Sequence, residues 1–341
     1  METSARWQSL VARYQSSDVR RSLWQLANSL IPLLVLWYAM WRSLAVGYWL
    51  TLLLAVPAAG FVVRVFIIFH DAGHGSFFKS SRANAIVGYI TGVITFTPYE
   101  YWRHDHAIHH ATVGDLDRRG KGDVYTMTVA EYLAASWWTR TFYRLTRHPL
   151  VMFTVGPLIQ FVVVNRFCPA DTGRRERRSV LYTNLALAAV LALVAWRIGW
   201  QALLLIELPT MLLACSAGVW VFYVQHNFDR AYMVRREHWD FFTAGINGSS
   251  FYKLPRLLQW FTGNIGFHHI HHLSPKIPNY KLPECYRDNP IFHVRPVTIA
   301  LSLKSLSYRL WDEQQQQLVG FRALREARAR RPLPAINSSD Q

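Results

Sequence analysis

Four apolar runs constrain this chain more than any other feature. Leu23–Met40, Ala45–Phe69, Val180–Trp196 and Gln201–Val224 carry few charges. Each is close to the roughly 20 residues that an α-helix needs to cross a bilayer. Arg, Trp or Tyr bounds every run, as interface anchors do. Buried helices of a large soluble protein are the alternative source of such stretches, but they are usually shorter. The runs therefore predict four transmembrane helices.

Charge places the remaining segments. The formal net charge is +16, from 37 Lys and Arg against 21 Asp and Glu. The excess lies between and beyond the apolar runs. Arg174, Arg175, Arg177 and Arg178 form one cluster, and Arg322, Arg325, Arg328, Arg330 and Arg331 line the C-terminal end. Positive charge beside membrane helices marks the cytoplasmic face and attracts anionic lipid. It can also dock an acidic protein, and it makes nucleic acid the weaker partner. The three cysteines, Cys168, Cys215 and Cys285, have no paired spacing, which argues against a disulfide framework or a CxxC site. The N-terminal stretch is amphipathic and charged, unlike a signal peptide.

A cytoplasmic Arg174–Arg178 cluster sets the topology. The first two helices form a hairpin through Trp41–Leu44 and return near His70; the last two form another through Ile198–Trp200 and return near His226. Ala85–Pro98 and Pro149–Phe167 are also apolar, but the first is shorter than a span and the second contains Gly156 and Pro157. Both would start and finish on the cytoplasmic side, so they are expected to be re-entrant or interfacial. The expected fold is an all-α integral membrane protein of two helical hairpins with a helical cytoplasmic cap. It forms a single domain over residues 1–325, followed by a disordered tail over 326–341. Both termini are expected to be cytoplasmic.

The cap contains three histidine clusters. HDAGH places His70 and His74 four residues apart, on one face of a helix. HDHAIHH relates His106, His109 and His110 as i, i+3 and i+4, and GFHHIHH repeats that spacing with His268, His271 and His272. An isolated histidine is usually a solvated or hydrogen-bonded residue, a reading that suffices for His148, His238 and His293. For eight clustered imidazoles it does not suffice. Protonated, they would repel one another; neutral and semi-buried, each needs a partner for its second nitrogen. A metal site resolves both problems, with carboxylates or carbonyls holding the outer nitrogens. Eight ligands exceed what one ion takes and are enough for two. Imidazole suits iron, zinc, copper and nickel alike, and no ExxH pair of the soluble di-iron type occurs.

The arrangement resembles the membrane fatty-acid desaturase family, with its one HxxxH-type and two HxxHH-type boxes. The similarity runs from about Ser22 to Arg325 and is strongest to bacterial acyl-lipid desaturases, including the cold-inducible Δ5 enzymes of bacilli. It is carried by FIIFHDAGHGSFFK, IHHATVGDLDRRGKGDV, FYVQHNF, GSSFYKLPRLLQW and GNIGFHHIHHLSPKIPNYKL. The resemblance implies a di-iron centre, O2 as co-substrate and removal of two hydrogens from a methylene pair in a lipid-bound acyl chain. It also implies an external electron donor of the ferredoxin or flavodoxin type, in a cell inner or plasma membrane. The implied ligands are His70, His74, His106, His109, His110, His268, His271 and His272, with His226 as a ninth just after the last membrane helix. His104 and His269 are then surplus and are expected behind the ligands. Asp71 and Asp105 are expected to accept ligand N–H groups, and Asn264 to hold a metal-bound water. An apolar tunnel should lead from the membrane to the metals, with Thr95–Trp102 and Ser250–Trp260 as candidate walls.

Two rival readings use the same residues. A hydroxylase or acetylenase would need the same boxes and differ only in product. A non-oxidative membrane protein, such as a zinc hydrolase or a carrier of metal or haem, would leave a three-ligand open site or place its ligands inside facing helices.

Overall fold

The computed structural model describes residues 2–330. A short helix, α1 (Glu2–Ala12), precedes the first hairpin of α2 (Val19–Ser43) and α3 (Tyr48–His74). Asp18 starts α2, its carboxylate accepting from the backbone N–H groups of Arg20 and Arg21 at 2.9 and 3.2 Å; a side-chain acceptor there satisfies donors the first turn leaves free. The second hairpin is α9 (Arg174–Ile198) with α10 (Trp200–His226), joined through Gly199. Between the hairpins lie α4 (Ser81–Ile94), α5 (Tyr99–Thr112), α6 (Val129–Ala134), α7 (Trp137–Thr146) and α8 (Gly156–Val162). After them come α11 (Phe241–Asn247), α12 (Arg256–Phe261), α13 (His268–Leu273), α14 (Leu282–Asp288), α15 (Ile299–Ser302) and α16 (Ala323–Arg330).

The protein is an all-α membrane protein, and among the described residues α2, α3, α9 and α10 are the four helices long and apolar enough to cross a bilayer. Each is longer than its apolar run. The run ends at Phe69, but α3 continues to His74; the last run ends at Val224, but α10 continues to His226. These polar extensions carry histidines out of the membrane layer and into the cap.

The four spans are not equivalent. Over its most apolar stretch α3 is 56% buried, against 22–28% for the other three. It is the central post, packed against α2, α4 and α10. Leu33, Met40, Ala55, Ala58, Ala59 and Val62 fill the seams. Trp24, Leu34, Val35, Leu193 and Trp196 point outward and exposed, as lipid-facing residues should.

The two uncertain apolar stretches resolve differently. Helix α4 has 14 residues, about 21 Å at 1.5 Å per residue, too short to cross a hydrocarbon core of about 30 Å. The second stretch is a π-helical turn over Val151–Val155 followed by α8 and a 3₁₀ turn over Val164–Arg166. It is bent by 61° from α7, and only if the bent pair counts as one span is there a fifth crossing.

The cap also contains two small sheets. β1 (Tyr252–Lys253) runs parallel to β2 (Val297–Thr298), and β3 (Leu310–Asp312) pairs antiparallel with β4 (Gln317–Val319). Periodicity gave no sign of these, because strands of two or three residues are too short to show alternation. Of the expected tail, residues 326–330 belong to α16, and 331–341 lie outside the described residues.

One close approach fixes α4 against the start of α5. The Tyr99 ring packs over Gly88, where an added Cβ would meet its Cε2 at 2.1 Å. The Tyr99 hydroxyl donates to the Ala72 carbonyl at 2.8 Å, tying this pair to the histidine-bearing end of α3. Gly88→Ala should therefore force the ring off this bond and destabilise the protein by about 1–3 kcal/mol. Thermal unfolding of the solubilised protein checks this: an unchanged midpoint would show that Tyr99 does not lock the two helices.

Candidate metal centre

Four elements deliver nine histidines to one place. His70 and His74 occupy the last turn of α3, and His106, His109 and His110 the second half of α5. His226 is the last residue of α10, and His268, His271 and His272 lie on α13. Helix α13 has only six residues, so its placement depends on the turn before it. Gly263 adopts a φ of +51°, and a Cβ there would meet Ile67 of α3 at 2.7 Å. That turn presses the third cluster against the helix carrying the first.

The nine rings divide into two groups. His70, His74, His106, His110 and His271 form one; His109, His226, His268 and His272 form the other. The second and third clusters are each shared between the groups, while His70 and His74 both belong to the first. On α5 the i, i+4 pair His106 and His110 enters the first group while His109 enters the second. On α13 the i, i+4 pair His268 and His272 enters the second while His271 enters the first. Residues i and i+4 stack on one helical face, while i+3 is turned to the side of it. The groups adjoin where the His110 and His272 rings stack, 4.2 Å between centroids.

Within the groups the Nε2 atoms face one another. The separations are 3.2 Å for His106–His110 and 3.1 Å for His110–His271. In the second group they are 3.1 Å for His109–His226, 3.0 Å for His226–His268 and 3.1 Å for His268–His272. His226 Nδ1 lies 3.2 Å from the Gly248 carbonyl, which can only accept. That ring therefore carries its proton on Nδ1 and points an Nε2 lone pair at its neighbours. Burial, reinforced by the neighbouring imidazoles, holds His106, His109, His110, His268, His271 and His272 well below the ordinary histidine range, so these rings are neutral at pH 7. The Nε2 of His74 is buried with no hydrogen-bond partner.

Converging neutral imidazole nitrogens suit a cation. Metal–imidazole bonds near 2.0–2.1 Å imply neighbouring ligand nitrogens roughly 3.0–3.4 Å apart, close to the spacing found. Neither group contains a carboxylate, so the donor set in each is all imidazole.

The surroundings agree only partly with expectation. Asp71 does sit behind a ligand candidate: one carboxylate oxygen lies 3.3 Å from His70 Nδ1, and the other accepts from the backbone and side-chain N–H groups of Asn279 at 2.7 and 2.8 Å. Gln25 of α2 in turn contacts Asn279. Asp105 is half-buried beside Tyr101 and Lys121, its pKa raised by burial, and it bonds to no histidine of the groups among the described residues. His104 is exposed. His269 is buried but faces away; its Nε2 donates to the Phe292 carbonyl at 2.9 Å, and burial pushes its pKa down to about 4. Asn264 accepts from Gln259 at 3.2 Å. Asp105 and His269 adjoin ligand candidates in sequence, but neighbours on a helix point about 100° apart. The outer nitrogens of His110, His268, His271 and His272 have no partner among the described residues, unlike the expected carboxylate or carbonyl for each ring. Gln25, Asn279 and the Gly248 carbonyl went unremarked in the sequence, since none carries chemistry alone. Trp102, from one expected tunnel wall, stacks on His106 at 4.3 Å.

A cavity of about 40 Å³ touches His109 and His226, with Phe222 and Asp123 among its walls. It has room for a few waters or a diatomic molecule, far less than an acyl chain requires.

The family profile for fatty acid desaturases matches residues 43–293, which include all nine histidines. This chain belongs to the fatty acid desaturase family. It is 50% identical to a fatty acid desaturase of Bacillus subtilis over 316 residues, 92% of this chain and 90% of that one. It is 29% identical to an sn-1 acyl-lipid omega-3 desaturase (ferredoxin) of Synechocystis over 226 residues, 64% of this chain and 61% of that protein. A chloroplastic omega-3 fatty acid desaturase of Glycine max is 30% identical over 243 residues, 64% of this chain and half of the plant protein. The desaturase is thus an oxidoreductase, and its histidine groups are the part of the molecule suited to metal.

Replacing Asp71 tests how the first group is held. Asp71→Asn should leave the protein inserted and folded but weaken metal retention about 10–100-fold, as loss of an outer hydrogen-bond partner does. Metal content measured against chelator concentration checks this; wild-type retention would show that His70 needs no orienting carboxylate.

Proposed function

We propose that the protein is a membrane-bound, O2-dependent acyl-lipid desaturase that introduces a cis double bond into a saturated acyl chain through two histidine-held iron ions. One observation carries the reading: nine imidazoles, eight of them buried, from four remote helices meet at the polar ends of membrane spans, in two adjoining groups. The names of the relatives support acyl-lipid as the substrate form and ferredoxin as the kind of donor. Iron is the choice that family membership favours among the metals imidazole accepts.

His70, His74, His106, His110 and His271 would hold one ion, and His109, His226, His268 and His272 the other. Bound iron supplies the oxidising power: two hydrogens leave adjacent methylenes and, with two electrons and two protons from outside, reduce O2 to two waters. The chain's own residues prepare the place. Gly248 fixes the tautomer of His226, and Asn279 with Gln25 holds Asp71 against His70. Trp102 and Phe222 cover the flanks of His106 and His109 with apolar surface, which keeps bulk water from the rings.

The catalytic unit extends over one domain to about residue 325. The arginine cluster at the start of α9 favours the cytoplasmic side of the cell membrane for the cap. A basic cytoplasmic face also suits docking of an acidic electron carrier of the ferredoxin or flavodoxin type.

Expression in a host rich in saturated phospholipid, with iron and a reducing carrier available, should give acyl chains two mass units lighter with a cis double bond. Mass spectrometry of the lipids reads this directly, and hydroxylated or triple-bonded products would favour the related oxidases instead. His271→Ala should abolish the product while membrane insertion persists; retained turnover would remove His271 from the centre. Metal analysis of the purified chain should find about two irons, and a single zinc would overturn the reading.

A further inference from the structure

A second feature adjoins the metal centre and shares Gln25 and Asn279 with its surroundings. Between α2, α3 and α12 lies a recess of about 530 Å³ walled by three arginines, Arg21, Arg64 and Arg256, and by no carboxylate. Trp24, Trp260, Tyr280 and side-chain amides complete the lining.

Arg64 is the unusual member. It lies inside a membrane helix and is 6% exposed. Its guanidinium donates to Ser29 Oγ at 3.1 Å, to Asn28 Oδ1 at 3.4 Å and to the Trp260 carbonyl, and it stacks over the Trp260 ring at 3.8 Å. All of these partners are uncharged. A buried charge without a counter-charge is costly, and Arg21 and Arg256 on the same wall add to the positive potential. The recess is built for an anion.

Depth identifies which anion. Arg64 precedes the end of its apolar run at Phe69 by about 7–8 Å of helix rise, the level of the layer where lipid headgroups meet the hydrocarbon. Arg21 lies in the first turn of α2, and Arg256 begins α12. Trp24, on the wall, is 70% exposed, in the manner of an interface anchor. Guanidinium forks match phosphate oxygens, and the volume suits a small polar head better than a bare ion. We propose that this recess binds the phosphate of a membrane phospholipid. Asn279 forms part of its wall and also donates to Asp71 behind His70. The bound head therefore sits one side-chain bridge from the first histidine group, and on the acyl-lipid reading above it positions the lipid whose chain is oxidised.

Binding by the purified full chain in detergent is measured with three probes: dipalmitoylphosphatidylglycerol, dipalmitoylglycerol and inorganic phosphate. Arg64 is buried and its loss can unfold the protein, so the double variant R21Q/R256Q carries the test. It should bind the phospholipid about ten-fold more weakly and the phosphate-free lipid unchanged. In mixed micelles its KM for phospholipid should rise by the same factor with kcat unchanged. Equal phospholipid affinity in variant and wild type would overturn the proposal. So would inorganic phosphate binding that depends on these arginines while phospholipid binding does not. Arginine-dependent phospholipid binding by a protein that desaturates nothing would sink the desaturase reading and leave the recess standing; turnover with arginine-independent binding would do the reverse.

Discussion

Five contacts between imidazole nitrogens, each 3.0–3.2 Å long, are the constraint to which the rest of the molecule answers. Hydrogen bonds between neutral rings cannot account for the whole arrangement, because the single Nε2 of His110, His226 and His268 faces two neighbours and has one proton or one lone pair to offer. Something must bring them together and something must occupy the space they surround. Packing does the first: the ends of α3 and α10, the second half of α5 and the short α13 are all held by apolar contacts made elsewhere. A cation does the second, and the absence of carboxylates leaves its positive charge largely uncompensated by ligands.

The membrane contributes to that geometry. A span crossing the hydrocarbon layer has limited freedom in depth, so the polar ends of α3 and α10 emerge at one level. Continuing each helix past its apolar run lifts His70, His74 and His226 to that level as rigid extensions. The central burial of α3 follows from the same demand, since it carries the first histidine pair and also receives the turn before α13 through Gly263. Cap and bundle are thus joined by covalent helix and by close contact. The arginine recess lies on the membrane side of these histidines along α3, and Asn279 joins its wall to Asp71 behind His70.

The division of the second and third histidine clusters between two groups has a further consequence. Because α5 and α13 both contribute to both groups, neither group can form before those two helices are docked face to face. The centre assembles as one unit, and a shift in either helix would disturb both groups together.

Much of this was legible in the residues. The four spans and their pairing followed from the length of apolar runs, since a hydrocarbon layer accepts nothing shorter. The eight box histidines, and His226 at the end of the last span, stood out because helical spacing puts i and i+4 on a common face wherever the helix goes. What surrounds them was not legible. Asp71 kept its expected place, whereas Asp105, His104 and His269, equally close in sequence, point elsewhere, and Asn279 arrived from a segment with no signal of its own. Which histidine joins which group, what stands behind each ring and where three arginines form one wall depend on how helices from distant parts of the chain are rotated against each other. Local spacing determines the face of a helix; only packing in three dimensions determines what that face meets.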